Sequence, residues 1–317
     1  MKKVGSAVRV VALLAAVAVM ASCGIAHAAW PAGTGKVTVI WHSSAGSGGD
    51  LLFRALSKFL EARTKVPFIV ENVTGASGAN AWTRAVRAKP DGATLLGVSS
   101  TFTASPVQNN MPVNYTSFDP VARIFVETLC IYTAGDSPYK TLKEFFEDAK
   151  KRPGELTITG GTAGSLELFA TKELLKEAGV QVAAVPFEGG SEGLVAVMGG
   201  HVTAGVGEYA EIASASEGER LRVLAAFNKM NGSDVPSVAE LGYKTKLEKF
   251  RGVVVPKGTP QEVKDGIVAL LKEAMEDPEF KEYYTINYLI PVFDIGEDFY
   301  KIMETQTEEI KASMAGN

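Results

Sequence analysis

"VIWHSSAGSGGDLLFRAL", Val39 to Leu56, is the stretch on which the reading of this chain turns. Lys36 to Trp41 is β-branched and alternating, as in a strand, while Leu51, Leu52, Ala55, Leu56, Phe59 and Leu60 recur at helical spacing. Between them lie six Gly, Ser and Ala residues, Ser43 to Gly48, with no lysine among them. A helix start leaves its first N–H groups without partners and carries partial positive charge. A loop of small residues lets an anionic group come close to those N–H groups. The stretch therefore predicts a strand, a turn able to hold a carboxylate or phosphate through backbone alone, and a helix.

The pattern recurs in "TGGTAGSLE" (159–167) and "FEGGSEG" (187–193). One glycine turn after a strand is often only a tight turn. Three in one chain point to a binding crevice, because such ligands sit at the carboxyl ends of strands. Further strands are predicted at 67–72, 93–100, 155–160, 181–187, 201–207, 220–227 and 250–256, and the apolar run "IFVETLCIYTAG" is also strand-like. Helices are predicted at 78–90, 142–151, 165–179, 191–200 and 260–278. Thr141 and Glu144 form a capping box, and Thr259-Pro260 reads as an N-cap and N1 pair. This alternation predicts α/β lobes with largely parallel sheets.

The chain has 317 residues, but its first 28 read as a secretion signal. Lys2, Lys3 and Arg9 precede an apolar run, Val10–Met20, and Ala26-His27-Ala28 offers a small-x-small cleavage site. Two alternatives stay open: lipidation at Cys23 within Met20-Ala21-Ser22-Cys23, and a retained membrane anchor. Cleavage after Ala28 leaves 29 Lys and Arg against 36 Asp and Glu. That acidity argues against nucleic acid, which needs a basic footprint. Only Cys130 would remain, and its apolar surroundings read as a buried small hydrophobe with no disulfide.

Enzyme motifs are scarce. There is no GxxxxGK[ST], and Gly46-Ser47-Gly48-Gly49-Asp50-Leu51 lacks the last glycine of GxGxxG. Gly189-Gly190-Ser191-Glu192-Gly193 does fit GxSxG. A hydrolase built on Ser191 needs a histidine, and only His42 and His201 follow the signal. His201 lies about 15 Å away along the intervening helix, and His42 could reach Ser191 only across two lobes. No metal is expected, since HExxH, CxxC and histidine clusters are all missing. His42 reads as a ligand contact or a loop-packing residue.

With these residues in view, the chain resembles the solute receptors of tripartite tricarboxylate transporters, the Bug family. The resemblance spans the region after the signal. It rests on the first loop ending Gly48-Gly49-Asp50, "VENVTGASGANA" (70–81), "KPDGATLL" (89–96), the run "YKTLKEFFEDAKKRPGELTITGGTAGS" (139–165), "VPFEGGSEGLVAVMGGHVTAGVG" (185–207), "DVPSVAELGY" (234–243) and "VVPKGTPQEV" (254–263). It implies a bilobed, hinge-closing periplasmic receptor without catalysis or cofactor. Residues 29–128 with 252–317 would form one lobe and 129–251 the other, with crossings near 128–131 and 247–252. Such receptors act as monomers, bind small carboxylates in the cleft, and dock on a two-component integral membrane transporter. A ligand sensor for a membrane signalling partner shares the fold and stays open.

The resemblance carries over a ligand set. From the first loop it takes His42, Ser43, Ser44, Ser47, Gly48, Gly49 and Asp50, with Asp50 read as an N-cap residue. From the second lobe it takes Gly160, Gly161, Thr162, Ser165, Phe187, Glu188, Gly189 and Gly190. Ser100 and Thr101 after a first-lobe strand complete it. The sequence departs from the family at "HSSAGSGG", where prolines are usual, at Leu166-Glu167, at Gly205-Val206-Gly207-Glu208, and at Glu188. The expected pocket thus gains acid and hydroxyl groups and no positive charge. If Glu188 faces the ligand, a mono- or dicarboxylate, or an acid bearing an amine or hydroxyl, is favoured over a tricarboxylate.

Overall fold

The structure, a computed structural model, describes residues 30–161, 165–187, 190–230 and 232–315. The signal segment, Cys23, Thr162, Glu188 and Gly189 lie outside the described residues. The chain runs β1 (Val37–Trp41), α1 (Gly48–Thr64), β2 (Phe68–Asn72), α2 (Ala79–Val86), β3 (Thr94–Ser99), α3 (Thr101–Asn109) and β4 (Phe118–Glu127). It continues with β5 (Leu129–Ala134), α4 (Leu142–Lys151), β6 (Thr157–Thr159), α5 (Leu166–Ala178), β7 (Ala183–Ala184), α6 (Gly190–Met198), β8 (Ala204–Glu208), α7 (Tyr209–Glu217) and β9 (Leu221–Ala226). It closes with β10 (Lys249–Pro256), α8 (Gln261–Glu276), α9 (Pro278–Ile286), β11 (Ile290–Ile295) and α10 (Glu297–Ala315).

Two sheets result. The first has the order β11-β4-β10-β3-β1-β2, and the second β7-β6-β8-β5-β9. Both are mixed rather than largely parallel. β1 runs parallel to β2 and β3, but β10 comes back from the second sheet antiparallel to both β3 and β4. In the second sheet β6 is parallel to β7 and β8, while β5 runs against β8 and β9. A strand that returns without a crossover helix is free to enter antiparallel.

β1 shows why the inner strands are apolar throughout. Val37, Val39 and Trp41 face one core with Phe53, Leu56 and Leu60, and Ile40 faces the other with Trp82, Leu96 and Phe102. Side chains alternate sides along a strand, and helices cover both sides. β5 repeats this, with Leu129 and Ile131 on one side and Cys130 and Tyr132 on the other. Cys130 is fully buried with Sγ 3.8 Å from Met230 Sδ, and burial raises its thiol far above the usual range.

Several boundaries differ from the sequence reading. The capping box forms, with Thr141 accepting from the Glu144 N–H and Glu144 accepting from the Thr141 N–H. Thr259, however, donates to the Pro256 carbonyl, so Pro260 is the N-cap and α8 begins at Gln261. α2 stops at Val86, well short of Pro90, which disfavours helix just before it. Of 181–187 only Ala183–Ala184 pairs, and the strand-like run around Cys130 breaks between Glu127 and Leu129, one half in each sheet.

Candidate ligand-binding cleft

The three glycine-rich helix starts meet. Ser43 and Ser47 before α1, Gly161 and Ser165 before α5, and Gly190 opening α6 line one cavity of about 40 Å³. It lies between the carboxyl ends of strands from both sheets, and Trp41, His42 and Thr101 close the first-sheet side.

At the α1 start, Asp50 accepts from the Gly46 N–H at 2.9 Å, Asn72 Nδ2 at 3.0 Å and Arg54 Nε at 2.9 Å. Burial raises its carboxyl, but these hydrogen bonds, Arg54 foremost, hold it below the usual range. Asp50 thus shapes the helix start from the third helical position; the N-cap is Ser47. Ser47 Oγ accepts from Trp41 Nε1 at 2.9 Å. Gly49 lies flat on that indole, and a Cβ there would come within 2.1 Å of the ring.

Ser165 caps α5, accepting from the Leu168 N–H at 3.2 Å while donating to the Gly160 carbonyl at 2.8 Å. The Phe187 N–H donates to the Gly161 carbonyl at 3.1 Å, so the two second-sheet loops are tied together. Across the cleft, Ser44 Oγ lies 3.1 Å from Ser191 Oγ. His42 is buried, with Nε2 3.3 Å from Ser99 Oγ. Burial, then Lys249 and Arg251, push its pKa down to about 3, so it stays neutral.

The floor of the cleft is ionic. Lys249 Nζ donates to Glu167 and Glu208, and Arg251 donates to Glu127 at 2.9 Å and Glu208 at 2.8 Å. The Arg251 guanidinium also lies 4.9 Å from the Trp41 ring centre. Glu211 Oε1 accepts from the Gly48 N–H at 2.6 Å. Burial and then Glu208 raise the Glu211 carboxyl well above the usual range. Burial would also raise Glu208, but Lys249 and Arg251 hold it well below. Glu211 Oε2 is buried without a hydrogen-bond partner among the described residues.

Of the sequence-predicted residues, His42, Ser43, Ser47, Thr101, Gly161, Ser165 and Gly190 line the cavity. Ser44 and Gly48 make cross-lobe contacts at its edge. Gly49, Asp50, Gly160 and Phe187 support the loops from behind. Ser100 faces away, accepting from the Phe250 N–H at 2.9 Å. The expectation of no positive charge is corrected by Lys249 and Arg251. These two, with Glu127 and Glu211, escaped the sequence reading, as did Trp41 as a wall of the cavity; Glu167 and Glu208 were noted only as departures. The i, i+2 spacing of two basic residues in "EKFRGVVVP", otherwise an apolar strand, was the available signal. Among the described residues no histidine partners Ser191, and His201 is exposed beyond α6.

Comparison with known proteins agrees with this architecture. The family model described as "Tripartite tricarboxylate transporter family receptor" matches residues 52–314. A UPF0065 protein in the gbd 5′ region of Cupriavidus necator is 32% identical over 250 residues, 75% of this chain and 74% of that protein. The solved periplasmic binding protein BugD superposes with a TM-score of 0.83 at 23% identity, covering 89% of this chain and 97% of its own. MatC from Rhodopseudomonas palustris, solved with bound malate, gives 0.79 at 20% identity, covering 87% and 98%. These are bilobed binding proteins rather than enzymes, and the present chain belongs to the tripartite tricarboxylate transporter receptor family.

Proposed function

We propose that this chain is an extracytoplasmic receptor that captures a small organic carboxylate and delivers it to a two-component integral membrane transporter. One observation carries the reading: three Gly- and Ser-rich helix starts, one from the first sheet and two from the second, face a single cavity. N–H groups and partial positive charge converge there from both sides. A ligand that touches both lobes favours the closed form, and one touching a single lobe does not. The proposed ligand set is the cavity-lining residues named above together with Ser44 and Gly48. The lobes would hinge where β4 passes to β5 at Thr128 and where the chain returns before β10. The bound malate of MatC supports a carboxylate, and the basic-then-apolar pattern of residues 1–28 supports export; action as a monomer is part of the proposal.

The test is a thermal-shift screen of refolded, ligand-stripped protein against mono-, di- and tricarboxylates, amino acids and sugars. At 100 times its Kd a ligand adds about 2.7 kcal/mol. We expect a shift with a carboxylate class. Shifts with sugars alone would refute the carboxylate reading. Uptake of the ligand found, in cells with and without the receptor, tests delivery.

A further inference from the structure

We infer that Tyr288 is a positioning residue for lobe closure: its ring, carried by the first lobe and set against Tyr209 of the second, braces the hinge at Thr128 and limits how far the cleft opens. The inference rests on the hinged-receptor reading above and adds to it a residue outside the cleft.

The starting point is the end of α9. The Leu289 N–H donates to the Tyr284 carbonyl at 2.9 Å and the Tyr288 N–H to the Thr285 carbonyl at 3.1 Å. This Schellman closure puts Tyr288 at the left-handed position, with a φ of 52°. Helices α5 and α6 close with the same pair of hydrogen bonds, but through Gly179 (φ 66°) and Gly200 (φ 70°). Glycine suits the position because it has no Cβ to clash. Lys65, Asn110 and Glu219 also adopt positive φ, yet among the described residues Tyr288 alone is aromatic. A bulky ring there is strained, and such strain persists only where the surroundings over-determine it.

Those surroundings belong to the other lobe. The Tyr288 ring meets Tyr209 edge-on, with 4.9 Å between ring centres and 87° between planes. It also packs against the second-lobe core that holds Cys130, Tyr132, Leu194 and Ile212. Edge-to-face contact is a favoured aromatic geometry. The same turn is tied to the crossing itself. Thr128, 2% exposed between β4 and β5, donates its hydroxyl to the Tyr288 carbonyl at 2.6 Å, and its own carbonyl accepts the Tyr209 N–H at 2.9 Å. One residue of the crossing is thus held from both lobes. A swing of the lobes about Thr128 has to slide one tyrosine across the other. Tyr209 opens α7, the helix that carries Glu211 to the α1 start, so brace and cleft share one rigid element. Wide-open molecules are not ready to close, and apparent affinity falls with the fraction that is ready.

The experiment is pulsed electron–electron distance measurement on the ligand-stripped full chain. Spin labels are placed at Lys58→Cys on α1 and Lys172→Cys on α5, with Cys23→Ser. Both lysines are exposed, and the buried Cys130 takes no label. We expect Tyr288→Gly to at least double the width of the interlobe distance distribution, and Tyr209→Ala to do the same from the other side of the contact. We expect Tyr288→Phe, which keeps the ring, to match the unsubstituted distribution. An unchanged distribution in both Tyr288→Gly and Tyr209→Ala overturns the brace and leaves the receptor standing, because the thermal-shift screen and uptake judge the receptor without Tyr288. Equal widening by Tyr288→Phe and Tyr288→Gly also overturns it, since the ring would then play no part. If Tyr288→Gly fails to fold, Tyr209→Ala decides.

Discussion

The Glu211 carboxylate accepts the Gly48 N–H at 2.6 Å, so a side chain of α7 in the second lobe occupies the start of α1 in the first. The protein's own carboxyl group thus stands at a helix start, a position that a solute carboxylate would favour. Glu208 from β8, Lys249 from β10 and Gly190 from α6 surround it.

Stability should therefore depend on pH through Glu211. A carboxyl raised by folding contributes stability that is complete below its unfolded value and is lost as pH rises through its folded value. Glu211 and Glu127 are both raised, chiefly by burial, while Glu208 is lowered and acts in the opposite sense at acid pH. Glu211→Gln keeps an acceptor for the Gly48 N–H but cannot ionise. Its unfolding free energy in urea should fall less than that of the wild type as pH rises above the ordinary carboxylate range. A variant that follows the wild-type profile would remove Glu211 as the titrating group.

Lys249→Met should be among the more damaging single changes in the cleft. It leaves Glu167 and Glu208 buried beside a methyl group. Breaking a buried pair by removing one partner costs about 3–5 kcal/mol. At roughly 2–4 °C per kcal/mol the midpoint should fall by about 6–20 °C. Lys143→Met is the contrast. Its pair with Glu147 is exposed and 3.8 Å apart, so the midpoint should hardly move.

Gly49→Ala and Gly190→Ala should separate packing from closure. At Gly49 the new Cβ meets the Trp41 ring, which has no room to yield, and about 1–3 kcal/mol should be lost in urea unfolding. At Gly190 it comes within 2.0 Å of Glu211 Oε2, the end of a side chain that can swing aside. Stability should change by less than ~1 kcal/mol, while solute affinity drops because the cross-lobe contact is displaced. Equal stability losses at both positions would contradict this distinction.

Ser165→Ala removes an N-cap and leaves the Gly160 carbonyl without its donor. Loss of such a cap costs typically about 1 kcal/mol. We expect that loss in chemical denaturation together with weaker solute binding, because the cap fixes the α5 start at the cavity wall. Unchanged affinity would place the α5 start outside the binding set.

The loops were legible from sequence and the charges were not. Gly48, Gly161, Ser165 and Gly190 announce themselves through local pattern, because a helix start needs small or capping residues within a few positions. The ionic floor is assembled from afar. Lys249 lies 82 residues from Glu167 and 41 from Glu208, and Arg251 lies 124 from Glu127. Each alone looks like a solvated charge at a strand end. α7 escaped because "YAEIASASE" offers Ile212 and Ala215 to the core with little else to mark a stripe. α3 escaped because Pro106 lies within it. The antiparallel return of β10 is invisible locally, since direction within a sheet leaves no trace in a strand's own residues.

The position of Trp41 makes the molecule its own optical probe. The chain has three tryptophans. Trp30 and Trp82 are packed away from the cavity, whereas Trp41 touches it, with Arg251 over its ring and Ser47 on its Nε1. A solute entering beside Ser47 would change the polarity around one indole and leave the other two as a constant background. Emission excited near 295 nm would then report occupancy directly, and Trp41→Phe supplies the blank.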